Sequence, residues 1–128
     1  MYKLKSILVI LVIALLLFVT PAFAQARYSL RVSVPVETST ALVLPAGTWV
    51  YGVKVYADAE SSWAALYDVA TIAGADADET TRKEELGEAT QYDSVKIMYG
   101  TPIYYTNGVT VKMTTGICFI YYGAEPGS

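Results

Sequence analysis

From Tyr28 to Tyr122 the apolar side chains fall again and again at every second position, in short runs that end at Gly, Pro, Asn or Asp. Such a period dries one face only of a β-strand, because a helix would scatter the same residues around its circumference. Tyr28, Leu30, Val32, Val34 and Val36 alternate with Ser29, Arg31, Ser33 and Glu37. They predict a first strand whose Leu30, Val32, Val34 and Val36 side is dry. Ala41 to Leu44 is a second short run, ended by the turn residues Pro45-Ala46-Gly47. Thr48 to Ala57 is the longest, and it sets Trp49, Tyr51, Val53 and Val55 against Val50, Gly52, Lys54 and Tyr56. Asp58 to Ser61 turns the chain, and Trp63 to Tyr67 runs on as the next strand, closing at Asp68. Later, Val95, Ile97 and Tyr99 alternate with Lys96 and Met98, Gly100-Thr101-Pro102 interrupts, and Ile103 to Thr106 resumes. Asn107-Gly108 is the pair that a two-residue type I′ hairpin favours. Val109, Val111 and Met113 then face away from Thr110, Lys112 and Thr114, and Thr115-Gly116 leads into Ile117 to Tyr122. These last strands are expected to form an antiparallel meander.

About seven such strands in roughly a hundred residues predict an all-β fold, a single antiparallel β-sandwich of immunoglobulin-like or jelly-roll type. The alternation lapses between Val69 and Gln91, where six of the twelve acidic residues collect. Thr81 with Glu84 three residues on fits a capping box, and Gly87 would end the single helical turn that follows. One turn has little cooperative support, so the expected form is a solvated loop on the rim of the sandwich.

At the N-terminus, Lys3 and Lys5 precede the apolar run Ile7 to Val19, and small residues stand at Ala22 and Ala24. That order is a secretory signal peptide: a basic start, a short apolar segment, and a site for signal peptidase. The alternative, an uncleaved anchor, is opposed by a run shorter than the ~20 residues a bilayer core requires. The expected division is a signal at 1–24, a sandwich domain at 25–122 and a flexible tail at 123–128, with the mature chain starting at Gln25 or, after Ala26, at Arg27. Its expected location is outside the cytoplasm, secreted or on the cell surface.

Loss of Lys3 and Lys5 with the signal takes the formal charge from -3 to -5. An acidic chain lacks the cations that neutralise phosphates, so neither nucleic acid nor, after signal cleavage, a membrane surface is an expected partner. The single cysteine, Cys118, rules out an intrachain disulfide. It is expected to be a small buried side chain in a strand, an intermolecular disulfide being the alternative. There is no histidine, and with it go the commonest general base, the commonest zinc ligand and the usual nucleophilic triads. Asp58, Asp68 and Asp93 near strand ends could form a hydrolytic carboxylate pair, but Asp is also the ordinary residue of turns. No enzyme and no cofactor are expected.

Three groups remain. Asp76, Asp78 and Glu79 are calcium candidates, since hard cations take several carboxylate oxygens, although the spacing is not that of the helix-loop-helix calcium loop. Trp49, Tyr51, Trp63 and Tyr67 are the candidates for stacking on sugar rings. Ile117, Cys118, Phe119, Ile120, Tyr121 and Tyr122 make a strand apolar on both faces, which is either covered on both sides or packed against another subunit.

Val50-Tyr51-Gly52-Val53-Lys54-Val55, Ala64-Ala65-Leu66-Tyr67-Asp68, Thr101-Pro102-Ile103, Tyr105-Thr106-Asn107-Gly108-Val109 and the closing Tyr121-Tyr122 carry a resemblance. The segment from Trp49 to Gly123 resembles small β-sandwich proteins of tailed phages, of the virion decoration or tail-associated type. The resemblance implies a sandwich and a structural role on a particle; its motifs are strands and turns and carry over no functional residue. The signal peptide stands outside that pattern and moves the expectation toward a secreted, cell-surface version. The expected function is therefore a non-enzymatic structural or adhesive subunit, self-assembling or surface-associated, with a carbohydrate-binding module and a phage virion protein as the alternatives.

Overall fold

Where the alternation is strict, the chain is a strand. The structure, a computed structural model, describes residues 30–127. The expected signal peptide at 1–24 and the first residues of the domain lie outside the described residues. The strands are β1 (Arg31–Val32), β2 (Thr40–Leu44), β3 (Thr48–Tyr56), β4 (Ser62–Asp68), β5 (Arg82–Glu88), β6 (Ser94–Tyr105), β7 (Val109–Met113) and β8 (Ile117–Gly123). Helix α1 (Ile72–Ala77) and one turn of 3₁₀ helix (Glu79–Thr81) lie between β4 and β5.

The strands pair antiparallel in two four-stranded sheets, β1-β8-β3-β6 and β2-β7-β4-β5. Lettered B to I in chain order, the sheets read B-I-D-G and C-H-E-F. That is the jelly-roll order, so of the two sandwich topologies open to the sequence the jelly roll is the one formed. The core lies between the sheets. Val50, Val53, Val55, Cys118 and Ile120 enter it from the first, and Leu44, Ala64, Leu66, Leu86, Val109, Val111 and Met113 from the second. Each fully buried Val, Leu or Ile contributes on the order of 1.5–3 kcal/mol, which is how a chain of this size holds together without a disulfide.

Four segments depart from the expected pattern. Around β1 the dry side is reversed: Leu30, Val32 and Val34 are 44%, 51% and 73% exposed, while Ser33 is buried. The partner strand sets this register, since Val32 stands opposite Tyr121 and β8 already turns Cys118 and Ile120 into the core. An extra residue around Pro35 then changes the parity, and Val36 faces inward in a bridge to Cys118.

Within β3 the expected grouping of Trp49 and Tyr51 with Val53 and Val55 fails at a bulge. Pairing with β6 jumps from Val50–Ile103 to Gly52–Met98, so Tyr51 alone opposes the stretch 99–102 and the faces exchange. Val50, Val53 and Val55 all point inward as a result, and Trp49 points out. Gly100-Thr101-Pro102 does not divide two strands but forms the other side of this bulge, where the absent N–H of Pro102 costs no ladder bond.

The expected rim loop at 69–91 is ordered structure. Thr71, not Thr81, caps a helix: its hydroxyl accepts from the Gly74 N–H, and Ala75 packs beneath on Ala65 and Tyr67. Arg82–Glu88 is the strand β5, because its alternation puts Leu86 in the core from a sheet edge that water can otherwise reach.

The meander is also corrected. β6 and β7 belong to different sheets, so Asn107-Gly108 is a crossover between layers rather than a hairpin turn. The Asn107 N–H donates to Asp68 Oδ1 at 2.6 Å, and Gly108 takes a φ of 103° close against the carbonyl of Leu44.

Candidate functional site

Because inward positions are taken by the core, whatever this domain contacts must meet the outer faces or edges of the sheets. On the second sheet the outer face is largely closed by α1. Tyr67 is 2% exposed beneath it, its hydroxyl donating to Glu79 at 3.2 Å, and burial, followed by the Glu79 charge, raises its pKa above the ordinary phenol value. Lys112 stands over the Tyr67 ring at 5.7 Å and pairs with Asp76, a contact that holds its ammonium protonated to higher pH. Trp63 is half-buried at the margin of this cluster and lines an open depression of about 230 Å³ with Ser61, Ser62, Gly87 and Glu88.

The calcium candidates are dispersed among these partners. Asp76 faces Lys112, Glu79 faces Tyr67 and Arg82, and Asp78 turns back to accept from the N–H and hydroxyl of Thr80, which lowers its pKa. Among the described residues no group of three or more His, Cys, Asp or Glu side chains converges on a point that could hold a metal. Of Asp58, Asp68 and Asp93, Asp68 stands apart from the other two, which flank the paired end of β3 and β6. Asp68 holds Asn107 at one end of β4, and Asp93 accepts from the Ser94 N–H beside Ala57, near the strand's other end, about 20 Å of extended chain away.

Among the described residues no helix covers the outer face of the first sheet. Reading across the strands, Val32 on β1 stands beside Tyr121 on β8, then Gly52 on β3 and Met98 on β6. The next row is Phe119, Lys54 and Lys96, with Val34 exposed beside it. Gly52 matters here because a β-carbon would strike the Met98 side chain and the Ile97 carbonyl. Its absence lets Met98 lie across the sheet, and the Lys96 ammonium reaches the Tyr121 ring at 4.5 Å. At one end of the face, Trp49 and Tyr104 are tilted together at 4.9 Å between centroids, and the Tyr51 hydroxyl donates to the carbonyl of Ala124 at 2.6 Å.

The sugar-stacking candidates are thus split between two sides of the sandwich: Trp49 and Tyr51 belong to the first sheet, Trp63 and Tyr67 to the second, and Tyr67 is covered. Of the interface candidates, Cys118 and Ile120 point into the core and Tyr122 packs against it, while Ile117, Phe119 and Tyr121 are partly exposed. Burial pushes the Cys118 thiol up to about 12, the state of an inert structural cysteine. Sequence reasoning missed Leu30, Val32 and Val34 as surface, and it missed Lys54 and Lys96 as neighbours. The signal for the lysines was present in their alternation with Val53, Val55, Val95 and Ile97. Only the β3–β6 register puts one beside the other.

The arrangement defines a jelly-roll domain with an apolar, aromatic and cationic open face. No protein-family model matches the chain, and neither a curated protein nor a solved structure matches it.

Proposed function

We propose that this chain is a secreted, non-enzymatic jelly-roll subunit, structural or adhesive, that acts by surface contact and assembles with copies of itself. The single observation that carries the reading is the open face of the first sheet, where Leu30, Val32 and Val34 extend an exposed apolar row beside Phe119 and Tyr121. Contiguous apolar surface of this kind marks contact sites, because leaving it wet forgoes the gain of burying it. A sequence without histidine and with its candidate carboxylates dispersed supports contact rather than chemistry. Jelly rolls serve in capsids and in lectins, so the architecture is compatible with the virion and the glycan alternatives and chooses neither. Export rests on the signal read at 1–24.

Light scattering behind size-exclusion chromatography tests the assembly. The expected result is a mass that rises with concentration; a strict monomer at millimolar concentration, with no particles under negative stain, would remove it. The glycan alternative is favoured by one feature, the pair made by the half-buried Trp49 and the exposed Tyr104. Under that alternative, Trp49→Ala abolishes binding on a glycan array while the melting temperature is kept.

A further inference from the structure

We infer that the outer face of the β1-β8-β3-β6 sheet holds a chain of acidic sugars, with a carboxylate on Lys54 and Lys96 and the sugar rings against Phe119 and the Trp49–Tyr104 pair. This rests on the adhesive side of the reading above and names the class of ligand. The apolar row of β1 lies at the opposite edge of the sheet from β6, so the ligand and a second copy need not compete.

Charge is sorted between the two sheets. Arg31, Lys54 and Lys96 are the only charged residues of these four strands, and all twelve acidic residues of the chain lie off them. A chain with a formal charge of -3 thus carries a sheet of purely positive sign, whose field gathers anions. Lys54 and Lys96 stand directly opposite each other on β3 and β6. Like charges so placed repel, yet among the described residues neither belongs to an ion pair. Nor does Lys96 turn outward from the sheet: its ammonium reaches across β3 to the Tyr121 ring on β8, at 4.5 Å from the centroid. The ring fixes the charge where a ligand anion can meet both lysines.

The surroundings select that anion. Phe119, half-buried, stands directly opposite Lys54 on β8. Toward the start of β3, roughly 15 Å of strand from Lys54, Trp49 and Tyr104 form their tilted pair. Flat rings therefore flank the cations along a line. A sugar acid carries an apolar C–H face and a carboxylate on one rigid ring, and its polymer repeats both along an extended chain. Nucleic acid fits worse, because its binding draws on many phosphate contacts and this sheet offers three cations. An acidic peptide brings its carboxylates on flexible arms, whose ordering costs entropy, and brings no flat apolar surface with them. A second copy does not supply the anion: Asp76 is paired with Lys112, Glu79 and Glu85 with Arg82, and Glu84 lies against the Tyr99 hydroxyl.

Biolayer interferometry of the purified protein on immobilised polygalacturonate tests the inference, with melting temperatures as the control for folding. The parent is expected to bind, to lose at least tenfold in affinity when the carboxylates are methyl-esterified, and to ignore dextran. Lys54→Gln with Lys96→Gln, and separately Trp49→Ala, should each weaken binding at least tenfold, while Lys83→Gln on the other sheet should bind as the parent does. Lys54→Arg with Lys96→Arg keeps the charge and should keep most of the binding, which separates lost charge from a disturbed fold. A parent that ignores polygalacturonate overturns the inference and leaves self-assembly to be decided by light scattering. Equal binding to the methyl ester or to dextran keeps an adhesive role but overturns the acidic ligand. Equal binding to polyglutamate or to single-stranded DNA makes the occupant another polyanion and overturns it too, as does a folded Lys54→Gln and Lys96→Gln variant that binds like the parent.

Discussion

At Gly108 one missing atom decides where two layers cross. Its φ of 103° lies where side chains are strained, and an added β-carbon would press on the Leu42 side chain and the Leu44 carbonyl. Gly108→Ala should therefore cost about 1–2 kcal/mol from the backbone alone, and more from the contact. Gly100, also in a turn-like stretch of sequence, has nothing within 4 Å of the same atom. Gly100→Ala is the control, expected to leave the urea midpoint near that of the parent. Equal midpoints for the two variants would show that the crossover does not depend on this conformation.

Among the elements, β1 is the least secured and the most instructive. It meets β8 through the Ser33 N–H to the Ile120 carbonyl at 2.8 Å, while the Ile120 N–H donates not to backbone but to Ser33 Oγ at 3.0 Å. Ser33→Ala would leave that buried N–H without a partner, at an expected cost of about 1–3 kcal/mol. Hydrogen exchange should then quicken at Ile120 more than at Val53 on the neighbouring β3; unchanged protection at Ile120 would show that the hydroxyl is dispensable. The same element shows where the sequence could be read and where it could not. Its period of two was visible, and so were the faces of β7, with Val109, Val111 and Met113 all inward as expected. Which side of β1 is wet depended on a register against β8, ninety residues away along the chain on the order of its whole length. No local pattern contains that information. For the same reason the open face went unseen: Lys54 and Lys96 become neighbours only through pairing, and the bulge at Tyr51 moved Trp49 away from Val53. The β5 strand was hidden differently, because its charged, glycine-containing sequence matches the habit of an exposed edge better than that of a core strand.

For the molecule as a whole, folding keeps at least three ionisable groups of the described residues protonated. Tyr99 and Tyr105 have buried hydroxyls with no hydrogen-bond partner, and burial first, then nearby charge, raises both pKa values far above the ordinary 10.0. Cys118 is raised by burial from 9.0 to about 12. The native state thus binds these protons more tightly than the unfolded chain does. Their contribution is complete below the unfolded pKa values and is lost as pH rises toward the folded ones. Urea midpoints should hold level up to about pH 9 and then fall, and Cys118→Ala should delay the onset toward pH 10. A midpoint unchanged at pH 11.5 would contradict the burial of all three.

The first of the described strands is paired with the last: β1 lies against β8, and β8 in turn is what joins it to β3. Among the described strands, only β4 and β5 follow one another in sequence and pair within one sheet. A growing chain consequently has almost nothing local to settle into, and the long loops must close before the pairings that reward closure can form. Folding is expected in the slow range of all-β domains, milliseconds to seconds. Until Ile117–Gly123 has been synthesised, the first sheet lacks its second strand, and the nascent chain stays open. Strand β8 is in this sense a timer: it sets the moment at which the polypeptide stops being a thread and becomes a solid.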